Sequence, residues 1–196
     1  MSIITTAAPS PAARLLDSAP AGAVLGGAAH SGAVHDSAVR DSAVLGGERL
    51  AALAGCYAAN LTLRPRFTKG SRWARRVLAG PGHEAWLLAW LPGQGTDLHD
   101  HGGVALPAAA AVAVVSGLLT EYTVRPGDFP GLRRKPLAAG EVSVVDDRTV
   151  HAMRNDSDAP AVSLHVYSPG LEAMRTYLLD ETGLAPSRIK RAGEDW

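Results

Sequence analysis

Residues 90–103 read WLPGQGTDLHDHGG, and the fold turns on this stretch. Pro92-Gly93 ends an apolar run, Ala85–Leu91, that is short enough for a buried strand. Beyond the turn, His99 and His101 flank Asp100. On a strand, residues i and i+2 project to one face, so the two imidazoles point together and Asp100 points the other way. Paired imidazoles suit a divalent metal. The plain alternative is a polar, exposed strand end.

Outward from this point the chain alternates short apolar runs with Gly, Pro and Asp turns. Ala110–Val115 closes at Ser116-Gly117, and Leu118–Val124 runs to the turn at Arg125–Asp128. Glu141–Val145 and Ala161–Ser168 alternate apolar and polar positions, as half-buried strands do. No alternation of strands with helices is visible, which argues against a doubly wound sheet and for an antiparallel sandwich or barrel. Leu50, Leu53, Ala54 and Tyr57 have helical spacing, predicting a short N-terminal helix over about 48–59 with Asn60 just past its end. Residues 171–181, LEAMRTYLLDE, predict a C-terminal helix closed by Gly183. The expected class is mainly β, a barrel with a helix at each end.

Composition bounds the rest. The chain has 196 residues, enough for one domain with a real core. Nineteen basic residues balance nineteen acidic ones, so nothing pulls the chain toward nucleic acid or an anionic membrane. One cysteine, Cys56, excludes an internal disulfide framework and any cysteine-based cluster site. It falls in the predicted N-terminal helix and is expected in the core. Met1–Ser18 has a single basic residue, Arg14, and does not read as an export signal; no run of residues is long and apolar enough to span a membrane. The expectation is a cytoplasmic monomer. Residues 1–47 lack Phe, Trp, Tyr and Lys and repeat AVLGG (23–27, 43–47) and DSAV (36–39, 41–44). They are expected to be a low-complexity, disordered extension preceding a domain over 48–196.

Of seven histidines, His30 and His35 lie in the extension, and His83 follows Pro81-Gly82 in a turn where solvation is expected. His151 lies in VHAMRN, after the acidic pair Asp146-Asp147. Ser163, His165 and Tyr167 stand at i, i+2 and i+4 of one strand and so share a face, where serine can hydrogen-bond histidine and histidine can orient the tyrosine hydroxyl. Packing residues of a half-buried strand would give the same pattern.

Taken together, a glycine before an HxH pair (Gly93, His99, His101) and a later histidine (His151) resemble the two-motif signature of the cupin superfamily. WLPGQGTDLHDHGG, VHAMRN and SLHVYSPGLEAMRTY narrow the resemblance to bacterial cysteine dioxygenases, in the thiol dioxygenase group, over about residues 48–180. The resemblance implies a double-stranded β-barrel and iron(II) held by His99, His101 and His151. It also implies a Ser163–His165–Tyr167 relay, and L-cysteine and O2 as substrates with cysteine sulfinic acid as product. It further implies an arginine that grips the substrate carboxylate. Arg75, in WARRVL (73–78), fits that position best, with Arg72 and Arg76 as competitors; a solvated basic patch is the plain alternative. Two rival functions stand beside this one: oxidation of another small thiol acid such as 3-mercaptopropionate, and a non-enzymatic metal-binding sensor or ligand-binding module.

The chain departs from the family in three ways. The glutamate that usually follows the HxH pair is missing before Gly117, and Glu121 comes only after it. Leu106 stands where mammalian members carry a cysteine crosslinked to tyrosine, so Tyr167 is expected to be uncrosslinked. The segment from His101 to Gly117 is longer than in the family, and Leu106–Ala109 is expected to bulge beside the metal.

Overall fold

The structure is a computed structural model that describes residues 44–102, 106–125 and 131–194. Most of the predicted N-terminal extension, and Trp196, lie outside the described residues. Among the described residues, helix α1 (Gly47–Ala59) precedes β1 (Trp73–Gly80), β2 (His83–Trp90), β3 (Leu98–Asp100), β4 (Ala109–Ser116), β5 (Leu118–Val124) and β6 (Leu132–Ala138). They are followed by β7 (Val142–Val145), β8 (His151–Arg154), β9 (Ala161–Ser168), β10 (Ala173–Asp180) and β11 (Gly183–Arg191). The strands form two antiparallel sheets, ordered β1-β2-β9-β4-β7 and β11-β10-β3-β8-β5-β6. Among the described residues, no helix is long and apolar enough to cross a membrane.

Two apolar layers explain why the central strands read as continuous hydrophobic runs. Trp86, Leu88 and Trp90 of β2 point between the sheets and join Val112, Leu119, Leu137, Met153 and Met174. Ala85 and Leu87, on the opposite face of the same strand, pack under Leu50 and Ala54 of α1. Strand β2 is therefore covered on both faces and needs no polar alternation. In β9 the alternation divides apolar from chemical: Val162, Leu164 and Val166 face α1, whereas Ser163, His165 and Tyr167 face the space between the sheets.

Residues 171–181 are not a helix. Ala173–Asp180 form β10, bonded on one side to β3 and on the other to β11. Leu, Ala, Met and Glu favour helix locally, but two strand partners outweigh that preference. Gly183 closes a hairpin instead of a helix: its φ is +126°, and Asp180 accepts hydrogen bonds from the Thr182 amide and hydroxyl. From Pro186 onward the chain continues the sheet within edge strand β11. A proline is tolerated there, as Pro136 is in the opposite edge strand β6.

Cys56 is exposed on α1 and is not a core residue. The apolar stripe of this helix is carried by Leu50 and Ala54, and Cys56 lies off it. His83 opens β2, and its Nε2 lies 3.0 Å from the Tyr57 hydroxyl, so it is tied to α1 and not simply solvated. In the segment expected to bulge, Ala108 is buried in the core and Ala109 already belongs to β4.

Candidate metal centre and relay

Register brings the histidines together. His99 of β3 and His151 of β8 are cross-strand partners, and His101 follows two residues along. All three are buried, and a metal-binding nitrogen of each lies within 4.8 Å of the others. The Nε2 atoms of His101 and His151 are 3.3 Å apart. The far-side ring nitrogens of His99 and His151 are held by the protein. His99 Nδ1 lies 2.9 Å from the Asp97 carbonyl oxygen, and His151 Nδ1 lies 3.2 Å from Glu121 Oε1. Each contact places a hydrogen on Nδ1 and leaves Nε2 as a lone-pair donor. Burial first, and then the neighbouring His151, holds His99 and His101 well below the ordinary imidazole pKa, so both are neutral. Converging imidazoles, two of them held at the far nitrogen, suit a divalent transition metal.

Glu121 is a site residue that the motif reading passed over because it follows Gly117. It is buried, accepts a hydrogen bond from Ser143 Oγ at 2.7 Å, and Ser143 in turn lies 3.2 Å from Lys135 Nζ. Burial alone would raise its carboxyl pKa, but the hydrogen bonds from His151 and Ser143 hold it below the usual range. A signal was available: Leu119 is a core position, and i+2 alternation aims Glu121 inward.

The second constellation faces the first from the opposite sheet. Ser163 Oγ lies 2.9 Å from His165 Nε2, and the Tyr167 hydroxyl lies 3.3 Å from His165 Nδ1. The ring of Tyr167 meets that of His101 edge-on, with centroids 5.2 Å apart. Burial pushes the His165 pKa down to about 3 and raises that of Tyr167, so both are neutral across the working pH range.

The structure separates the three arginines. Arg75 is exposed on the outer face of the five-stranded sheet, where it lines a cavity of about 390 Å³ with Tyr57, Leu61 and Leu63. Trp73 shares this face, as i, i+2 alternation requires. Arg75 therefore lies across the sheet from the histidines. Arg76 pairs with Glu84 at 3.4 Å over Trp86. Arg72 lies on the site side. Its guanidinium sits 5.4 Å from the centre of the Trp90 ring, its Nη1 donates to the Gly95 carbonyl at 3.1 Å, and its buried Nε has no partner among the described residues. Burial lowers its pKa, and the nearby Asp97 carboxylate offsets part of that. The same guanidinium helps to depress the pKa of His99 and His165, and with His99 it lines one small cavity.

The model for the family described as cysteine dioxygenase type I matches residues 34–180, a span that holds every residue of both constellations. The chain belongs to the cysteine dioxygenase type I family. This family is iron-dependent, and the donor set of this cysteine dioxygenase family member, three histidines with no carboxylate within the cluster, fits such a metal. Solved structures similar to it include a double-stranded β-helix protein of Klebsiella pneumoniae subsp. pneumoniae MGH 78578, with 19% identity over 63% of this chain and 90% of that one, TM-score 0.46. An RmlC-like cupin protein from Desulfovibrio desulfuricans has 21% identity over 57% and 94%, TM-score 0.46. A Thermus thermophilus protein has 27% identity over 54% and 90%, TM-score 0.43. No curated protein matches the chain.

Proposed function

We propose that the protein is a thiol dioxygenase that oxidises L-cysteine with O2 to cysteine sulfinic acid. One observation carries the substrate: a guanidinium with an unpaired, buried Nε beside the three histidines and the relay. Such a group asks for an anion, and a carboxylate meets two parallel N–H bonds of arginine. Arg72 takes the role expected of Arg75.

His99, His101 and His151 would hold the iron. Bound there, iron(II) supplies a redox-active centre at which thiolate and O2 meet. The protein does the rest. Arg72 fixes the carboxylate and thereby the position of the sulfur, making the encounter effectively intramolecular. Trp90, Val112, Leu119 and Met153 wall the space and exclude water. Tyr167, neutral and aimed by His165, holds its proton on Oη, from which it can hydrogen-bond the substrate. Both oxygen atoms of O2 end on sulfur, so thiol plus O2 equals sulfinic acid and no external reductant is needed.

The test is turnover with iron(II) loaded without air, then oxygen, offering L-cysteine and 3-mercaptopropionate separately. Mass spectrometry should find a product two oxygen atoms heavier than cysteine, formed in clear preference. Preference for 3-mercaptopropionate would overturn the substrate, and no product from either would favour a binding module.

A further inference from the structure

The indole N–H of Trp90 donates to Ser163 Oγ at 2.9 Å, and the same oxygen lies 2.9 Å from His165 Nε2. We propose that Trp90 is a positioning residue that sets the direction of the hydrogen-bond chain: Trp90 to Ser163, Ser163 to His165 Nε2, and His165 Nδ1 to Tyr167. The proposal concerns the relay of the reading above and rests on that reading only for its kinetic consequence.

The chain follows from donor counting. Indole N–H can only donate. Ser163 is fully buried, and Trp90 and His165 are its two side-chain partners among the described residues. An oxygen that already accepts from Trp90 has one hydrogen to give, and His165 Nε2 is where it goes. In the reverse direction, two N–H groups would converge on Ser163 Oγ and its own buried hydrogen would have no acceptor. His165 is neutral and carries one hydrogen, so accepting at Nε2 places that hydrogen on Nδ1, aimed at Tyr167 Oη. Tyr167 then accepts from His165 and directs its own hydrogen elsewhere than His165. The other direction would spend the tyrosine hydrogen on the imidazole. Each bond polarises the next, so the indole strengthens the whole chain.

Trp90 also carries Arg72 on its face. The register explains the coincidence: Trp73 pairs with Ala89, so the residue before it comes beside Trp90. One ring thus seats the guanidinium by its π-face and directs the relay by its edge, and the two tasks are separable. Trp90→Phe keeps a face and removes the edge donor.

The experiment uses the full chain with ¹⁵N-labelled histidine, with zinc(II) as a diamagnetic occupant of the histidine site. Long-range ¹H–¹⁵N correlation reports which nitrogen of His165 bears hydrogen. The expected result is Nδ1–H alone in the unaltered protein and a clear share of Nε2–H in Trp90→Phe. With iron(II), the variant should lose roughly five- to tenfold in kcat, the scale of one hydrogen bond, while KM for cysteine moves by less than about twofold. Nε2–H in the unaltered protein, or a Trp90→Phe spectrum that keeps pure Nδ1–H, overturns the proposal. If Trp90→Phe does not fold, Ser163→Ala breaks the same link, and pure Nδ1–H in that variant overturns it equally. Nδ1–H in a protein that oxidises no thiol would leave the positioning role standing and reject the dioxygenase reading.

Discussion

Removing the Arg72 guanidinium separates the two candidate arginines by a large factor. Arg72 has one nitrogen committed to the Gly95 carbonyl at 3.1 Å, which leaves the unpaired Nε and the adjacent Nη2 edge to meet a carboxylate. A hydrogen bond to a charged group contributes about 1.5–3 kcal/mol, and two give about 3–6 kcal/mol. Arg72→Ala admits water that rehydrates the carboxylate, so the lower half of that range applies. At about 1.4 kcal/mol per decade, kcat/KM for cysteine should fall roughly 10²- to 10³-fold. Arg72→Lys keeps the charge and loses the fork, and should fall about tenfold. Arg75→Ala, on the exposed outer face, should stay within about twofold. The assay is initial-rate oxygen consumption with iron-loaded protein, repeated with cysteamine, which lacks the carboxylate and should discriminate poorly between the native protein and Arg72→Ala. An Arg72→Ala protein that retains native kcat/KM, or one that loses as much on cysteamine as on cysteine, would refute the assignment.

Three further outcomes follow from the geometry. Glu121→Gln removes the charged support of His151 and should weaken metal affinity about 10- to 100-fold, read by competition with a chelator; unchanged affinity would show that Glu121 does not tune the site. His165, at a pKa of about 3 when folded against the ordinary 6.5, takes up its proton more readily once unfolded. Stability of the metal-free protein is therefore full above pH 6.5 and is lost as pH falls toward 3, at up to about 1.4 kcal/mol per pH unit from this group, with His99 and His101 shifted the same way. Urea midpoints that stay flat from pH 7 to about 5 would contradict this. Gly117 has φ +79°, and a Cβ there would lie 2.6 Å from the Pro160 carbonyl oxygen and 2.8 Å from Ala161 Cα, so Gly117→Ala should cost about 2–4 kcal/mol. Gly93, at φ +82° in open space, should lose only about 1 kcal/mol as Gly93→Ala, and equal losses in denaturant titrations would discount the clash.

What was legible in the sequence was whatever one strand carries by itself. Leu118–Val124 and Ala161–Ser168 appear as strands with the bounds read from the sequence, the first from its flanking turns and the second from alternation, and the Ser163, His165 and Tyr167 face follows from period two alone. The three histidines required a motif, because His99 and His151 meet only through the β3–β8 pairing. Residues 171–181 failed because their helix-forming side chains say nothing of two waiting strand partners. Arg75 was read toward the histidines and lies on the outer face instead, for a related reason. Alternation allowed either parity for 72–76, and only the covering of the outer face by α1 decides which parity looks inward. Trp90 read as plain core, and its N–H has a role only because Ser163 lies across the β2–β9 ladder.

The division of the site between two sheets has a consequence for the core as a whole. The histidine cluster belongs to the six-stranded layer, and Tyr167, His165 and the Trp90 seat of Arg72 belong to the five-stranded one. No strand carries both halves. The gap between them is filled by Val112, Leu119, Leu137, Met153 and Met174. A methylene removed from this filling lets the layers settle closer, and one added wedges them apart. Its effect on turnover should then exceed its effect on folding, because a shift too small to unfold the barrel still misaligns two half-sites facing each other across it. In this protein the spacer residues act as the calipers of the reaction.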